Sequence, residues 1–443
     1  MRIFVVLILV GIGLAGCSSN PKKLNDFEAG AISDVVTRMT DLMVHDITNP
    51  PLAARFYSYA CLAGYEIVSQ NNASFKSMYG VLNEYPQIPR PDSITGYDYQ
   101  LAAILSMNMT ARSMQPSGKN LKKYEDDYTD SLAREGYDEN TILQSKKYAE
   151  YVCKNILAYA KKDKYNKISN LQRYSPLNVE GGWFPTPPAF IAAVEPEFRT
   201  VRPFTLDTCA QFQPVAPVKF SKEKSSPFFK LMLSNYELKL SPEQKAVAAF
   251  WDCNPFAVQD NGHLLTSLKK ISPGAHWLGI TGIACMQGKK SFDASMQIFT
   301  LVSVGLMDGF ISCWDEKYRS NRIRPETAIR KYIDPSWTPL LQTPPFPEYL
   351  SGHSVISSTS ATILTQYFGE NFHYTDSVEV SYGLPSRSFK SFNEAAIEAG
   401  ISRYYGGIHF MDAIDEGRKQ GIKVGEWVMQ SFNANQPATA SKK

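Results

Sequence analysis

DASMQIFTLVSVGLMDGFISCWDEK, residues 293–317, is the stretch whose reading decides the fold. Met296, Phe299, Val302, Leu306, Phe310 and Trp314 recur at steps of three and four, which makes the apolar stripe of a helix. Leu301, Val304 and Met307 widen the stripe, so this helix is expected to be covered on more than one side. Working outward, periodic apolar segments predict helices over 25–48, 52–70, 97–114 and 129–157 upstream, and over 354–368, 391–403 and 410–433 downstream. Ser241-Pro242-Glu243 starts another, with serine as cap and proline in the first turn. No sheet, internal repeat or glycine-rich nucleotide loop stands out. The expected fold class is all-α, with helical bundles in two lobes and a long irregular connecting segment.

The segment between the lobes holds GGWFPTPPAF at 181–190. Its aromatic content argues for ordered but irregular chain. The expected division is 1–16 as a lipoprotein signal peptide, 17–25 as a lipidated tether and 26–163 as an N-terminal helical lobe. Residues 164–235 form the connecting segment, 236–436 the second helical bundle with the candidate site, and 437–443 a flexible tail. Arg2, the apolar run at 3–14 and Leu-Ala-Gly-Cys at 14–17 read as an export signal with lipid on Cys17. The run is too short to span a bilayer. Ser18 after that cysteine points to an outer-membrane anchor facing the periplasm. A net charge of +3 over 443 residues gives no basis for bulk nucleic-acid binding. Six cysteines follow Cys17 at wide spacings without a metal motif, and buried thiols with one bridge are expected.

Three short pieces carry the chemistry: KYRSNRIRP at 317–325, FPEYLSGHS at 346–354 and SRYYGGIHF at 402–410. Lys317 and Arg324 lie seven apart, two helical turns, and Pro325 disfavours helix at Arg324, so the guanidinium leaves from beyond a helix end. Ser351 is placed to cap the next helix, and Gly352 lets the backbone amide approach a ligand. His353 is placed to move a proton. Arg403 and His409 are not on one helical face, but Gly406-Gly407 bends the chain between them. A neutral imidazole at His409 can ligate a metal centre or attack phosphorus, with Asp412 or Asp415 nearby to orient it. Each piece alone has a plain structural reading, as a solvated basic helix end or a capped turn. Together they supply Lys317, Arg324 and Arg403 as cations and Ser351 and the Gly352 amide as neutral donors, which suits a small tetrahedral oxyanion, phosphate or vanadate. His45, His263, His276 and His373 lack such settings and read as structural or surface residues.

The order K-x6-R-P, S-G-H, S-R-x5-H resembles the vanadium-dependent haloperoxidases, within the wider type 2 phosphatidic acid phosphatase superfamily. The resemblance implies that Lys317, Arg324, Ser351, Gly352 and Arg403 bind a vanadate cofactor. His409 would be the vanadium ligand and His353 the acid–base group. It places Trp314 and Phe346 in the substrate pocket, and Asp252 or Asn254 beside His353. Two positions depart from the superfamily pattern: Leu350 replaces a proline, and Ala413 stands where phosphatases carry the aspartate that orients their histidine. The implied reaction is vanadate-dependent oxidation of a halide by hydrogen peroxide to a hypohalous species. The competing expectations are a periplasmic acid phosphatase with a phosphohistidine intermediate, or a non-enzymatic oxyanion-binding lipoprotein.

Overall fold

The apolar run at 293–317 forms a 29-residue helix, Phe292–Ser320, as its spacing predicts. The Ser291 hydroxyl accepts the Ala294 N–H at its start, and Asn321 closes its end in the left-handed region at φ 47°. By length and composition it could cross a membrane, yet 94% of its most apolar window is buried inside the protein. It is the shaft of the fold.

The computed structural model describes residues 27–260 and 265–434. The signal, the Cys17 tether and the tail at 437–443 lie outside those residues. Among the described residues the helices run α1 (Ala29–His45), α2 (Pro50–Asn71), α3 (Tyr99–Met114), α4 (Lys119–Arg134), α5 (Glu139–Ala160), α6 (Pro227–Tyr236) and α7 (Pro242–Phe250). They continue as α8 (Pro273–Gln287), α9 (Phe292–Ser320), α10 (Pro325–Tyr332), α11 (Gly352–Phe368), α12 (Phe392–Tyr405) and α13 (Met411–Ala434). The N-terminal helices meet the shaft through α2, which packs between α3 and α9. Two hydroxyls bridge the α2–α9 seam: Ser58 Oγ donates to the Ser303 carbonyl at 2.6 Å, and Thr300 Oγ1 to the Cys61 carbonyl at 3.1 Å. On the other side α9 packs on α11, which in turn packs on α12 and α13. The two lobes therefore share one apolar core along the shaft.

Four expectations are corrected. The single helix over 129–157 is two, because Gly136 turns the chain at φ 87° and Asp138 recaps it, accepting the Thr141 N–H at 2.7 Å. Helix α8 is an addition to the expected set: His276 and Thr281 are as buried as Trp277 and Leu278, so no polar face marks a helical period. Two antiparallel hairpins exist, β1 (Val258–Asp260) with β2 (Leu265–Ser267) and β3 (Tyr374–Asp376) with β4 (Arg387–Phe389). Strands of three residues are too short to show alternation in sequence. Finally, Cys61, Cys153, Cys209, Cys253, Cys285 and Cys313 are all free thiols, so the bridge is absent among the described residues.

The irregular segment after α5 is tied down along α9. The Trp183 N–H donates to the Asn321 carbonyl and the Ile323 N–H to the Gly181 carbonyl, each at 2.9 Å. The Val194 carbonyl accepts from Trp314 Nε1 at 3.2 Å and Tyr318 Oη at 2.6 Å. Buried Asp308 takes the Phe204 and Thr205 amides at 2.6 and 2.7 Å. Chain with little secondary structure of its own thus satisfies its backbone through the shaft.

Candidate active site

Four helix ends converge on one site. Lys317 sits in the last turn of α9, and Arg324 is the extended residue before α10, where Pro325 occupies the first turn. Ser351 caps α11, its Oγ accepting the Ser354 N–H at 3.3 Å. The Ser351 N–H donates to the Ala413 carbonyl at 3.1 Å, locking the start of α11 to the start of α13. Arg403 lies in the last turn of α12. Gly406 and Gly407 then turn the chain and bring His409 back beside it; at φ 72° Gly407 holds a conformation that is strained for a residue with a side chain, and Pro339 and Trp337 pack close to it.

A small pocket is lined by His353, His409, Arg403 and Gly352 together with Trp314, Phe346 and Asn254. Arg324 reaches it through His409: its Nη1 lies 3.1 Å from His409 Nε2 and donates to the Ile408 carbonyl at 2.9 Å, while Nε donates to the Phe346 carbonyl at 2.9 Å. Lys317 stands behind Phe346, donating to the carbonyls of Pro347 at 2.9 Å and Glu348 at 3.2 Å, and also to that of Leu350. Trp314 packs on Phe346 with ring centroids 5.0 Å apart.

The carboxylate that holds His409 is Glu348. Its Oε1 lies 2.9 Å from His409 Nδ1 and accepts the Phe410 N–H at 2.9 Å. A carboxylate only accepts, so Nδ1 carries the proton and Nε2 keeps a lone pair. Asp412 does not touch the ring; it forks onto Arg322 at 2.6 and 2.8 Å, and Arg322 Nε in turn donates to Glu348 Oε2 at 2.6 Å. Asp415 is exposed. Sequence reasoning favours these two because they are near His409 in the chain. Glu348 stands inside the FPEYLSGHS piece and is fully buried, so the usable signal is an acid within a motif otherwise built for an anion. At His353 the backbone of Trp251 supplies the hydrogen bond. Asp252 pairs instead with Lys270 and lies 3.6 Å from Arg403, and Asn254 donates to the Gln342 carbonyl at 3.3 Å.

Burial dominates the electrostatics. It brings the Lys317 ammonium down to about 7 and lowers Arg324 and Arg403, although guanidinium groups remain charged. Burial, and then the neighbouring cations, hold His353 and His409 well below the usual imidazole range, so both are neutral. The site is a concentration of buried positive charge with little protein counter-charge. Arg403 Nε and Nη2, Arg324 Nη2 and His353 Nε2 are buried without a hydrogen-bond acceptor or donor in the protein. Buried polar groups left this way call for a ligand. A tetrahedral oxyanion fits, because it offers acceptors on several sides and negative charge to offset the burial of the cations.

Fold and site together define a helical enzyme class built around a buried oxyanion cradle. The family described as "VCPO second helical-bundle domain" matches residues 297–436. The crystal structure of a bacterial vanadium-dependent iodoperoxidase is similar at 41% identity and a TM-score of 0.87, over 93% of this chain and 98% of that one. Holo and apo structures of a bacterial vanadium-dependent chloroperoxidase share the fold at a TM-score of 0.65, with 15% and 14% identity over 87% of this chain and 93% and 95% of theirs. No curated protein matches the chain. The chain belongs to the vanadium-dependent haloperoxidase family. It is an enzyme, a peroxidase-type oxidoreductase that uses hydrogen peroxide and a halide with a vanadate-type cofactor.

Proposed function

We propose that the pocket between His353 and His409 binds vanadate and oxidises iodide with hydrogen peroxide to hypoiodous species. The observation that carries this reading is the set of unpaired buried polar atoms on Arg324, Arg403 and His353 around His409. When bound, vanadate supplies a Lewis-acid centre that makes hydrogen peroxide electrophilic towards a halide. His409 would offer the Nε2 lone pair, which faces Arg324 Nη1 at 3.1 Å, as the vanadium ligand, and Glu348 would fix the ring for it. Arg324 Nη2 and Arg403 Nε and Nη2 would donate to the oxyanion oxygens, together with the Gly352 amide at the start of α11. Lys317, held by three carbonyls behind Phe346, would reach the anion only by releasing one of them. The free Nε2 of His353 would hold and return a proton during peroxide binding. Ser351 acts through its cap, by fixing the α11 start.

Iodide as the preferred halide rests on two supports. The similar iodoperoxidase structure is one. The other is the pocket wall, where Trp314, Phe346, Phe310 and Phe256 face the cradle with polarisable apolar surface. Of the halides, iodide loses the least hydration on entering such a wall. Phosphate has the same shape and charge and would occupy the cradle in competition with vanadate. Cys17 in Leu-Ala-Gly-Cys supports export and a lipid anchor in the outer membrane; mass spectrometry of the membrane-fractionated protein tests it, and an unmodified Cys17 there sinks the anchor. The deciding assay is paired. Purified protein with added vanadate should oxidise iodide with a higher kcat/KM than bromide or chloride, and His409→Ala should lose that activity. Phosphate-ester hydrolysis without vanadate, at a rate exceeding halide oxidation, would return the protein to the phosphatase reading.

A further inference from the structure

At one wall of the pocket, three side chains from distant parts of the chain meet. Cys253 follows α7, His276 lies in α8 and Glu379 follows β3. Cys253 Sγ is 3.5 Å from His276 Nδ1 and 3.6 Å from Glu379 Oε1, and Nδ1 is 3.5 Å from Oε1. All three residues are buried. We propose that Cys253, His276 and Glu379 form a structural zinc site in the wall of the vanadate pocket, whose lining includes Cys253.

The spacing is the first argument. Zinc binds thiolate sulfur at about 2.3 Å and imidazole nitrogen or carboxylate oxygen at about 2.0–2.2 Å, so tetrahedral geometry sets donor atoms roughly 3.4–3.6 Å apart. The three observed separations fall in that range without any movement. Two of the three also fit hydrogen bonds of the thiol, whereas 3.5 Å between Nδ1 and Oε1 is too long for a good N–H···O bond.

The second argument is the far side of the imidazole. His276 Nε2 lies 2.8 Å from Asp376 Oδ2, and Asp376, fully buried, is itself fixed by the Val378 N–H at 3.0 Å. Nε2 therefore carries a proton, and in the neutral ring the Nδ1 lone pair faces Cys253 and Glu379. A carboxylate behind the ring is the arrangement that orients a metal-bound histidine. One sulfur, one nitrogen and one oxygen suit zinc far better than calcium or magnesium, which take oxygen. Glu379 borders a surface crevice with Asp252, Lys270 and Tyr382, which provides a route for the ion and for a water as fourth ligand.

The site would brace the vanadate pocket. Trp251 stacks on His276 with centroids 4.6 Å apart, and its carbonyl accepts Arg403 Nη1 at 2.8 Å. Tying Cys253 to α8 fixes the short stretch of chain on which Arg403 rests.

Untagged full-length protein prepared with zinc chloride and without vanadate should carry about one zinc per chain by elemental analysis. Exchange for cobalt should give thiolate-to-cobalt absorption in the near ultraviolet. Cys253→Ala and His276→Ala should each lose the bound equivalent, and a strong chelator should lower Tm in the wild type but not in Cys253→Ala. If a variant does not fold, the wild-type zinc content and cobalt spectrum decide alone. No stoichiometric zinc and no thiolate–cobalt band in the wild type, or a band that persists in folded Cys253→Ala, would overturn the proposal.

Discussion

Glu348 Oε1 sits 2.9 Å from His409 Nδ1, although the two residues are 61 positions apart. This contact sets which imidazole nitrogen is available to the pocket. The same carboxylate carries Arg322, and Arg322 carries Asp412. Glu348→Gln keeps the shape but removes the charge. We expect vanadate affinity to fall about 10- to 100-fold, as for other outer partners of metal-bound histidines. Asp412→Asn, one link further out, should weaken it less. Peroxidase activity titrated against vanadate measures both; wild-type affinity in Glu348→Gln would remove the orienting role.

Arg403 makes the opposite demand on stability and binding. Its guanidinium is buried, held by one carbonyl, with Asp252 no nearer than 3.6 Å. Arg403→Gln takes a costly buried charge out of the anion-free protein, so Tm without anion should stay at or above the wild-type value. The same change removes charge-assisted donors worth about 1.5–3 kcal/mol, or roughly 10- to 100-fold in vanadate affinity. Thermal melts with and without vanadate or phosphate read both effects. An undiminished anion-induced rise in Tm would mean Arg403 does not face the oxyanion.

Much of this architecture is legible in the chain because its signals are local. The stripe from Met296 to Trp314, the cap at Ser351 and the bend at Gly406-Gly407 each fit within a few helical turns, and all three occur where expected. What escapes the sequence is pairing across the fold. Nothing near His409 marks Glu348 as its neighbour, and helix geometry sends the nearer Asp412 to Arg322 instead. His276 reads as a bland core histidine, since Cys253, Asp376 and Glu379 are supplied by other elements. Helix α8 escapes for a related reason: covered on nearly all sides, it has no amphipathic period to detect.

Asp308 should give the protein a stability term that depends on pH. Burial pushes its carboxyl up to about 6, despite the amides of Phe204 and Thr205 that favour the ionised form. A carboxyl raised above its unfolded value binds more protons when folded. Its contribution is therefore full below about pH 4 and is lost as pH rises through about 6, a change of about 3 kcal/mol. Asp308→Asn should flatten the slope of Tm between those values, while lowering Tm throughout because an amide nitrogen now faces backbone N–H donors. An identical slope in the variant would show that another group titrates.

The spacing between α11 and α13 decides whether His353 and His409 can serve one anion, since α11 begins beside the first and α13 just after the second. Gly417, Gly421 and Gly425 line α13 at every fourth position, and Thr359 Oγ1 on α11 donates to the Gly421 carbonyl at 2.9 Å. A Cβ at Gly421 would lie 2.2 Å from the Val355 carbonyl oxygen, where only backbone can yield. Gly421→Ala should therefore force the helices apart and cost about 1–3 kcal/mol. Gly30 in α1, where an added methyl group would meet nothing within 4 Å, is the control. Gly30→Ala should gain up to about 1 kcal/mol from helix propensity alone. Opposite signs in Tm, with weakened vanadate binding only in Gly421→Ala, would trace the loss to the helix seam; equal and small effects would show that the seam has slack and does not set the pocket.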